Sequence, residues 1–287
     1  MTFQKKSFEF EMRSSRCALV ASLLLGLALQ SQGTIYTLTE GDSSVKVNDA
    51  SGGGQAYDWT VGGVNQLFFQ WYYYRLGNSG PEYAIDSIDA TPTSVLDPNG
   101  RKLTTTYANS TISVEVVFEL VDGISSGVSA FNHEVTVNNL SGVATNLSFF
   151  QYSDYDLGGG TPDQSVNFFA AGGKFYKAIQ TDGAWVLTET VLSNPSVGTT
   201  VRAEAALYNS TLTSLTDLNT TTLNNVTTAG PGDITYAFQW SRSLAAGGSF
   251  QLSKLQGIVP EPSSISLMGV AMVLWGLVRR RAKGERP

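Results

Sequence analysis

The chain has 287 residues and a formal net charge of −6, long enough for one large β-sandwich or two small domains with a substantial buried core. Glycine occurs 29 times and only 15% of residues are charged, a balance that suits a β-protein with many turns and argues against a helical bundle or coiled coil. Half of the 18 basic residues sit at the two ends; between positions 34 and 260, 9 basic residues face 20 acidic ones, a balance of −11, so this part of the surface repels nucleic acid and anionic lipid.

The N-terminus reads basic, then apolar, then small and polar. Arg13 and Arg16 precede a twelve-residue apolar run, ALVASLLLGLAL at 18–29, which has signal-peptide length and is too short for an ordinary spanning helix. Ser31 and Gly33 supply small residues at −3 and −1 for a cut before Thr34, so residues 1–33 read as a signal helix for signal peptidase, with Met12 an alternative start. The single cysteine, Cys17, precedes the apolar run and leaves with it. The mature chain then has neither disulfide nor thiol chemistry.

From 34 to 257 the dominant signal is period-two alternation. The run FFQWYYYR at 68–75 places Phe69, Trp71 and Tyr73 on one strand face and Phe68, Gln70, Tyr72 and Tyr74 on the other. Such a run suits a central strand packed on both sides. A second reading sets Trp71 and Tyr73 in a groove where sugar rings stack, because aromatic faces match the apolar C–H faces of sugars. The stretch ISVEVVFELV at 112–121 alternates, with charge at Glu115 and Glu119, and Val135 and Val137 share a face opposite Glu134, Thr136 and Asn138. His133 is the only histidine, which excludes a multi-histidine zinc site. The runs 200–207, 234–240 and 249–255 alternate in the same way.

The stretch QYSDYDL at 151–157, followed by three glycines and Asp163, collects carboxylates at a strand end. Asp154 and Asp156 share a face, and the glycine loop would fold Asp163 back towards them. Carboxylates with turn carbonyls suit Ca²⁺, although Gly158 stands where an EF-hand places an oxygen side chain. Paired carboxylates also admit a glycosidase. Residues 209–228 (NSTLTSLTDLNTTTLNNVTT) read as an irregular exposed insertion with a helical turn through Leu212 and Leu215. Six Asn-x-Ser/Thr sequons occur, at Asn109, Asn139, Asn146, Asn209, Asn219 and Asn225.

The C-terminus reads Val259-Pro260-Glu261-Pro262, then an apolar run ISLMGVAMVLWGLV at 265–278, then Arg279, Arg280 and Arg281. The apolar run is fourteen residues, about 21 Å of helix at 1.5 Å per residue, and the arginines would stay cytoplasmic. The order of motif, short apolar helix and arginine cluster resembles the PEP-CTERM sorting signal of exosortase substrates, over about the last 28 residues. That resemblance implies transient anchoring in the inner membrane, cleavage at Val259–Pro262 by an exosortase-like protease, a cytoplasmic stop at Arg279–Arg281, and release to the cell surface or extracellular matrix.

These readings combine into an all-β chain: one large antiparallel β-sandwich over 34–257 with roughly fourteen strands, flanked by an N-terminal signal helix and a short C-terminal transmembrane helix within the sorting signal at 258–287. The expected function is a non-enzymatic exported surface or matrix protein whose partner is extracellular polysaccharide, with no catalytic residue. A glycan-active hydrolase using an Asp/Glu pair, or a structural coat protein, are the alternatives.

Overall fold

The computed structural model describes residues 33–50, 55–122, 126–160, 162–193 and 199–260. The expected signal segment up to position 32, and Glu261, Pro262, the apolar run 265–278 and Arg279 to Arg281, lie outside the described residues.

Alternation becomes strand along most of the chain. β1 (Ile35–Glu40), β2 (Ser43–Asn48), β3 (Gln55–Val61), β4 (Val64–Asn65) and β5 (Phe69–Leu76) come first, then β6 (Tyr83–Ala84) and a 3-10 turn at Ile85–Ser87. β7 (Thr93–Leu96), β8 (Lys102–Ala108), β9 (Ile112–Asp122) and β10 (Ser129–Asn139) follow. Next come β11 (Thr145–Asp154), a 3-10 turn at Leu157–Gly159, β12 (Gln164–Ala171), β13 (Lys174–Asp182), β14 (Trp185–Ser193) and β15 (Thr200–Leu207). The single α-helix among the described residues, α1 (Ser210–Thr216), leads to β16 (Thr228–Gly232), β17 (Ile234–Leu244) and β18 (Ser249–Pro260). The strands beyond the expected fourteen include the two-residue β4 and β6, too short to show a period.

The strands form two nine-stranded antiparallel sheets. One runs β1-β2-β3-β5-β11-β17-β15, with β4 on β3 and β6 on β5; the other runs β16-β12-β13-β14-β18-β10-β9-β8-β7. The expected all-β architecture of antiparallel sheets is thus present. Aromatic rings fill the core. Phe118 and Phe131 stack at 5.9 Å between centroids, Tyr72 and Phe149 at 5.5 Å, and Phe238 and Trp240 at 5.8 Å. Burying rings of about 150–250 Å² each dominates core energetics, which suits a chain without disulfides.

β11 is buried along eight successive residues, so the first sheet is covered on both faces there. Part of the cover comes from the segment 209–228, which is mostly exposed and irregular as expected, with its helical turn in α1, but which also turns a few residues inward. Leu215 and Leu223 are buried. The Leu223 N–H donates to Gln239 Oε1 at 2.9 Å, and Arg202 Nη1 donates to the Leu223 carbonyl at 3.0 Å. The buried Arg75–Glu82 ion pair ties in the same segment: Arg75 Nη1 donates to the Thr221 carbonyl at 2.9 Å and the Thr221 N–H donates to Glu82 at 3.0 Å. Its polar composition did not announce these inward contacts, which are made by backbone groups and two leucines.

Polar side chains also enter the interior. Glu189 on β14 accepts from the Tyr236 hydroxyl at 2.7 Å and from Gln256 Nε2 at 3.0 Å, and Lys254 Nζ lies 4.0 Å from its other oxygen, with both charged side chains fully buried. Burial pushes the Lys254 ammonium down to about 7, against the opposing pull of Glu189. His133 sits in mid-β10, its Nδ1 2.7 Å from the Tyr72 hydroxyl. Burial, and then the Lys254 charge, hold its pKa well below the usual range.

Candidate active site

The site forms where four strands end together. β11 stops at Asp154, which pairs with Phe69 at the start of β5 and with Thr235 near the start of β17. The Phe68 N–H donates to the Asp154 carbonyl at 3.0 Å, and the Tyr208 N–H, just past β15, donates to the Asp233 carbonyl at 2.9 Å. Asp156 follows in the turn after β11. That turn needs glycine at 158: its φ is +73°, and a Cβ there would meet Trp185 at 2.9 Å. The Gly158 N–H donates to Gln66 Oε1 at 2.8 Å, which anchors the turn. Phe68, Asp154, Asp156, Tyr208 and Asp233 line an open pocket of about 190 Å³.

One carboxylate oxygen from each of Asp154, Asp156 and Asp233 lies within 4.8 Å of the others. Asp154 is 3% exposed. Burial, then the charges of Asp156 and Asp233, push its pKa up to about 7. Asp156 is raised by burial and then by Asp233, and Asp233 is raised by burial. No basic residue lines the pocket, and a hydrogen bond from Tyr152, which favours the Asp154 carboxylate, is outweighed by these causes. The three titrate as a coupled set. Phe68 and Tyr208 are about half exposed and add aromatic surface beside the acids.

Asp154 and Asp156, both singled out in the sequence, are brought together. Asp163 is not, and the expected calcium trio is corrected. Asp163 is exposed in the turn before β12, and its charge acts on Asp182, whose carboxyl is raised first by burial and then by Asp163. The glycine turn hands the chain to the second sheet instead of folding it back. Asp233 takes the third place, and adjacency in sequence offered no signal for it.

The sugar-stacking groove expected at Trp71 and Tyr73 is also corrected. Both rings are buried. Trp71 Nε1 donates to Asp86 at 3.0 Å, and its ring stacks on Phe118 at 6.4 Å; burial drives the Tyr73 hydroxyl well above the ordinary phenol range. The aromatics that line the carboxylate pocket are Phe68, at the edge of the same run, and Tyr208, which sequence reasoning missed. Of the sorting motif, Val259 and Pro260 end β18, paired with Val186 and Trp185, beyond the boundary expected at 257. A proline is accommodated there because the strand's last residue is the place where a missing N–H interrupts least. Among the described residues no helix is long and apolar enough to cross a membrane.

No family model and no curated protein matches the chain. Among solved structures, a bacterial glucoamylase complexed with acarbose matches with a TM-score of 0.53 and 9% identity, over 85% of this chain and 36% of the glucoamylase. A galactose mutarotase-like protein from Lactobacillus casei matches with a TM-score of 0.45 and 9% identity, over 78% of this chain and all of that one. A galactose mutarotase related enzyme from Lactobacillus acidophilus matches with a TM-score of 0.45 and 7% identity, over 79% of this chain and 97% of that one. The chain thus spans about a third of the glucoamylase, and the likeness is one of fold. The expectation of a non-enzymatic protein without catalytic residues is corrected: the fold is one that occurs within an enzyme, the glucoamylase. The strand pairing also brings Asp233, which the linear sequence did not point to, beside Asp154 and Asp156.

Proposed function

We propose that the protein is a glycan-active hydrolase whose catalytic residues are Asp154, Asp156 and Asp233. One observation carries the reading: a carboxyl that holds its proton to about pH 7 stands beside two others in an open pocket edged by aromatic rings. Glycosidases divide their work in this way, with one carboxylic acid to protonate the departing oxygen and one carboxylate facing the sugar carbon or a water. Asp154 is the acid; Asp233 or Asp156 is the ionised partner. Phe68 and Tyr208 would stack on the sugar face. Occurrence of the same fold within a glucoamylase supports carbohydrate as the substrate class.

The experiment is release of reducing ends from a panel of bacterial and plant polysaccharides. The parent should release them, and Asp154→Asn should lose on the order of 10²-fold or more of the rate while staying folded. Full activity in Asp154→Asn would sink the assignment, as would an inert parent across the panel.

A divalent cation is the second reading, favoured by three converging carboxylates with no basic side chain in the lining. Calcium would compete with the Asp154 proton, so it should raise the melting temperature more at pH 8 than at pH 5, and not at all in Asp233→Asn.

We also infer that the chain is exported and sorted, on the strength of the terminal segments alone: the apolar runs 18–29 and 265–278, the Val259–Pro262 motif and Arg279 to Arg281. Signal peptidase and an exosortase-like protease would be its partners, the inner membrane its transient anchor, and the cell surface or matrix its destination. Changing Pro260 and Glu261 to Ala should leave uncut protein in the membrane; unchanged release would refute sorting by this motif.

A further inference from the structure

The turn that carries Asp156 is held from the opposite sheet. Asp154 and Asp156 both line the pocket, so Tyr155 between them turns to the interior, where it is buried. Its ring stacks on Tyr236 at 6.0 Å, and its hydroxyl accepts from Gln70 Nε2 at 2.9 Å and from Gln256 Nε2. The backbone beyond it is fixed by two glutamines of the second sheet. Gln180 on β13 donates from Nε2 to the Tyr155 carbonyl at 3.1 Å, the peptide group that joins Tyr155 to Asp156. The same nitrogen donates to Gln164 Oε1, and Gln164 on β12 donates from its own Nε2 to the Gly160 carbonyl at 2.9 Å. The turn from Tyr155 to Gly160 is gripped at both ends, with the Gly158 N–H on Gln66 Oε1 between them.

The amide chemistry is specific. A glutamine nitrogen carries two N–H donors, and Gln180 uses one on a backbone carbonyl and the other on its neighbour's amide oxygen. Glutamate of the same size has no N–H to give. Methionine fills the volume but leaves a buried carbonyl without its donor. Gln164 and Gln180 are fully buried, so solvent does not stand in for them. Neither lines the pocket, and their reach into it runs through the backbone on either side of Asp156. That reach has a chemical consequence, because Asp154 owes part of its raised proton affinity to the charge of Asp156. The distance between the two acids therefore sets how long Asp154 keeps its proton.

We propose that Gln180 and Gln164 are positioning residues of the carboxylate site: through the Tyr155 and Gly160 carbonyls they set the place of Asp156 relative to Asp154. The consequence for catalysis rests on the hydrolase reading; the consequence for the carboxyls does not. The second sheet, which contributes no side chain to the pocket lining, would in this way govern the spacing of acids carried by the first.

The test compares Gln180→Met and Gln164→Met in the full chain, with Gln239→Met as the control. Gln239 is a buried glutamine on β17 that accepts from the Leu223 N–H and does not line the pocket. Carbon-13 NMR follows the Asp154 carboxyl, and release of reducing ends follows catalysis. In Gln180→Met the Asp154 titration should move down by about 1 pH unit, and the descending limb of kcat/KM should move with it. Its kcat should fall about tenfold or more, with KM little changed, as expected of a displaced reacting group. Gln164→Met should act in the same direction, and it carries the test if Gln180→Met does not fold. Gln239→Met should lower the melting temperature and leave the titration in place. An unmoved Asp154 titration in a folded Gln180→Met or Gln164→Met would overturn the proposal, as would an equal shift in Gln239→Met. A shift confined to the two clamp variants, in a chain that cleaves no glycan, would uphold the positioning role while removing the hydrolase reading.

Discussion

Asp154 keeps its proton to about pH 7 because it is buried and faces Asp156 and Asp233. As the acid it is active when protonated, so kcat/KM should fall as pH rises through about 7; a rate that climbs steadily above pH 8 would rule out that role. The same shift acts on stability. A carboxyl whose folded pKa lies above its unfolded value of 3.8 stabilises the fold fully below that unfolded value, and the contribution is lost as pH rises through about 7. The parent should therefore lose up to about 4 kcal/mol between pH 4 and 8, and Asp154→Asn should not lose this component. Urea unfolding at the two pH values measures it. At the pocket rim, Phe68→Ala and Tyr208→Ala should each raise KM roughly three- to tenfold with kcat little changed, the worth of one ring contact. Asp154 and Asp156 were legible because a polar doublet breaks a strand at 151–157. Trp71 and Tyr73 were half legible: a run aromatic on both faces marks a central strand, and a central strand leaves no ring free for a ligand.

Pairing of elements decides what the local signal cannot. Asp233 joins the site only because β17 lies beside β11, with Thr235 opposite Asp154; nothing near Asp154 in sequence points to that register. Lys254 was more accessible to reasoning. It falls in step with Phe250 and Leu252 along β18, all three buried, so an inward lysine follows from the alternation, and its partner Glu189 emerges only when β14 pairs with β18. The covering segment shows a converse case, in which polar composition hides ordered backbone. It also gives a test. Glu82→Ala would leave Arg75 buried without its carboxylate and should cost about 3–5 kcal/mol. Loss of less than 1 kcal/mol in denaturant titration would mean that the segment is not pinned there.

At the scale of the whole molecule, the two sheets enclose a core that is aromatic at many points and polar between β14 and β18. Removing one charge from a buried pair strands the other, so Glu189→Gln should destabilise by about 3–5 kcal/mol, whereas Glu189→Gln with Lys254→Met, which removes both charges and keeps an acceptor for Tyr236, should be less destabilising than Glu189→Gln alone. The carboxylates stand instead at an open strand end, where their repulsion is retained in an accessible pocket. The coupling of Asp154, Asp156 and Asp233 is the claim on which the functional account rests. Carbon-13 NMR of the aspartate carboxyls titrates them directly in the parent and in Asp233→Asn. The account predicts a carboxyl absent from the Asp154→Asn spectrum that titrates near pH 7 in the parent and moves lower when Asp233 loses its charge. An Asp154 that titrates near 4 in both proteins would contradict it.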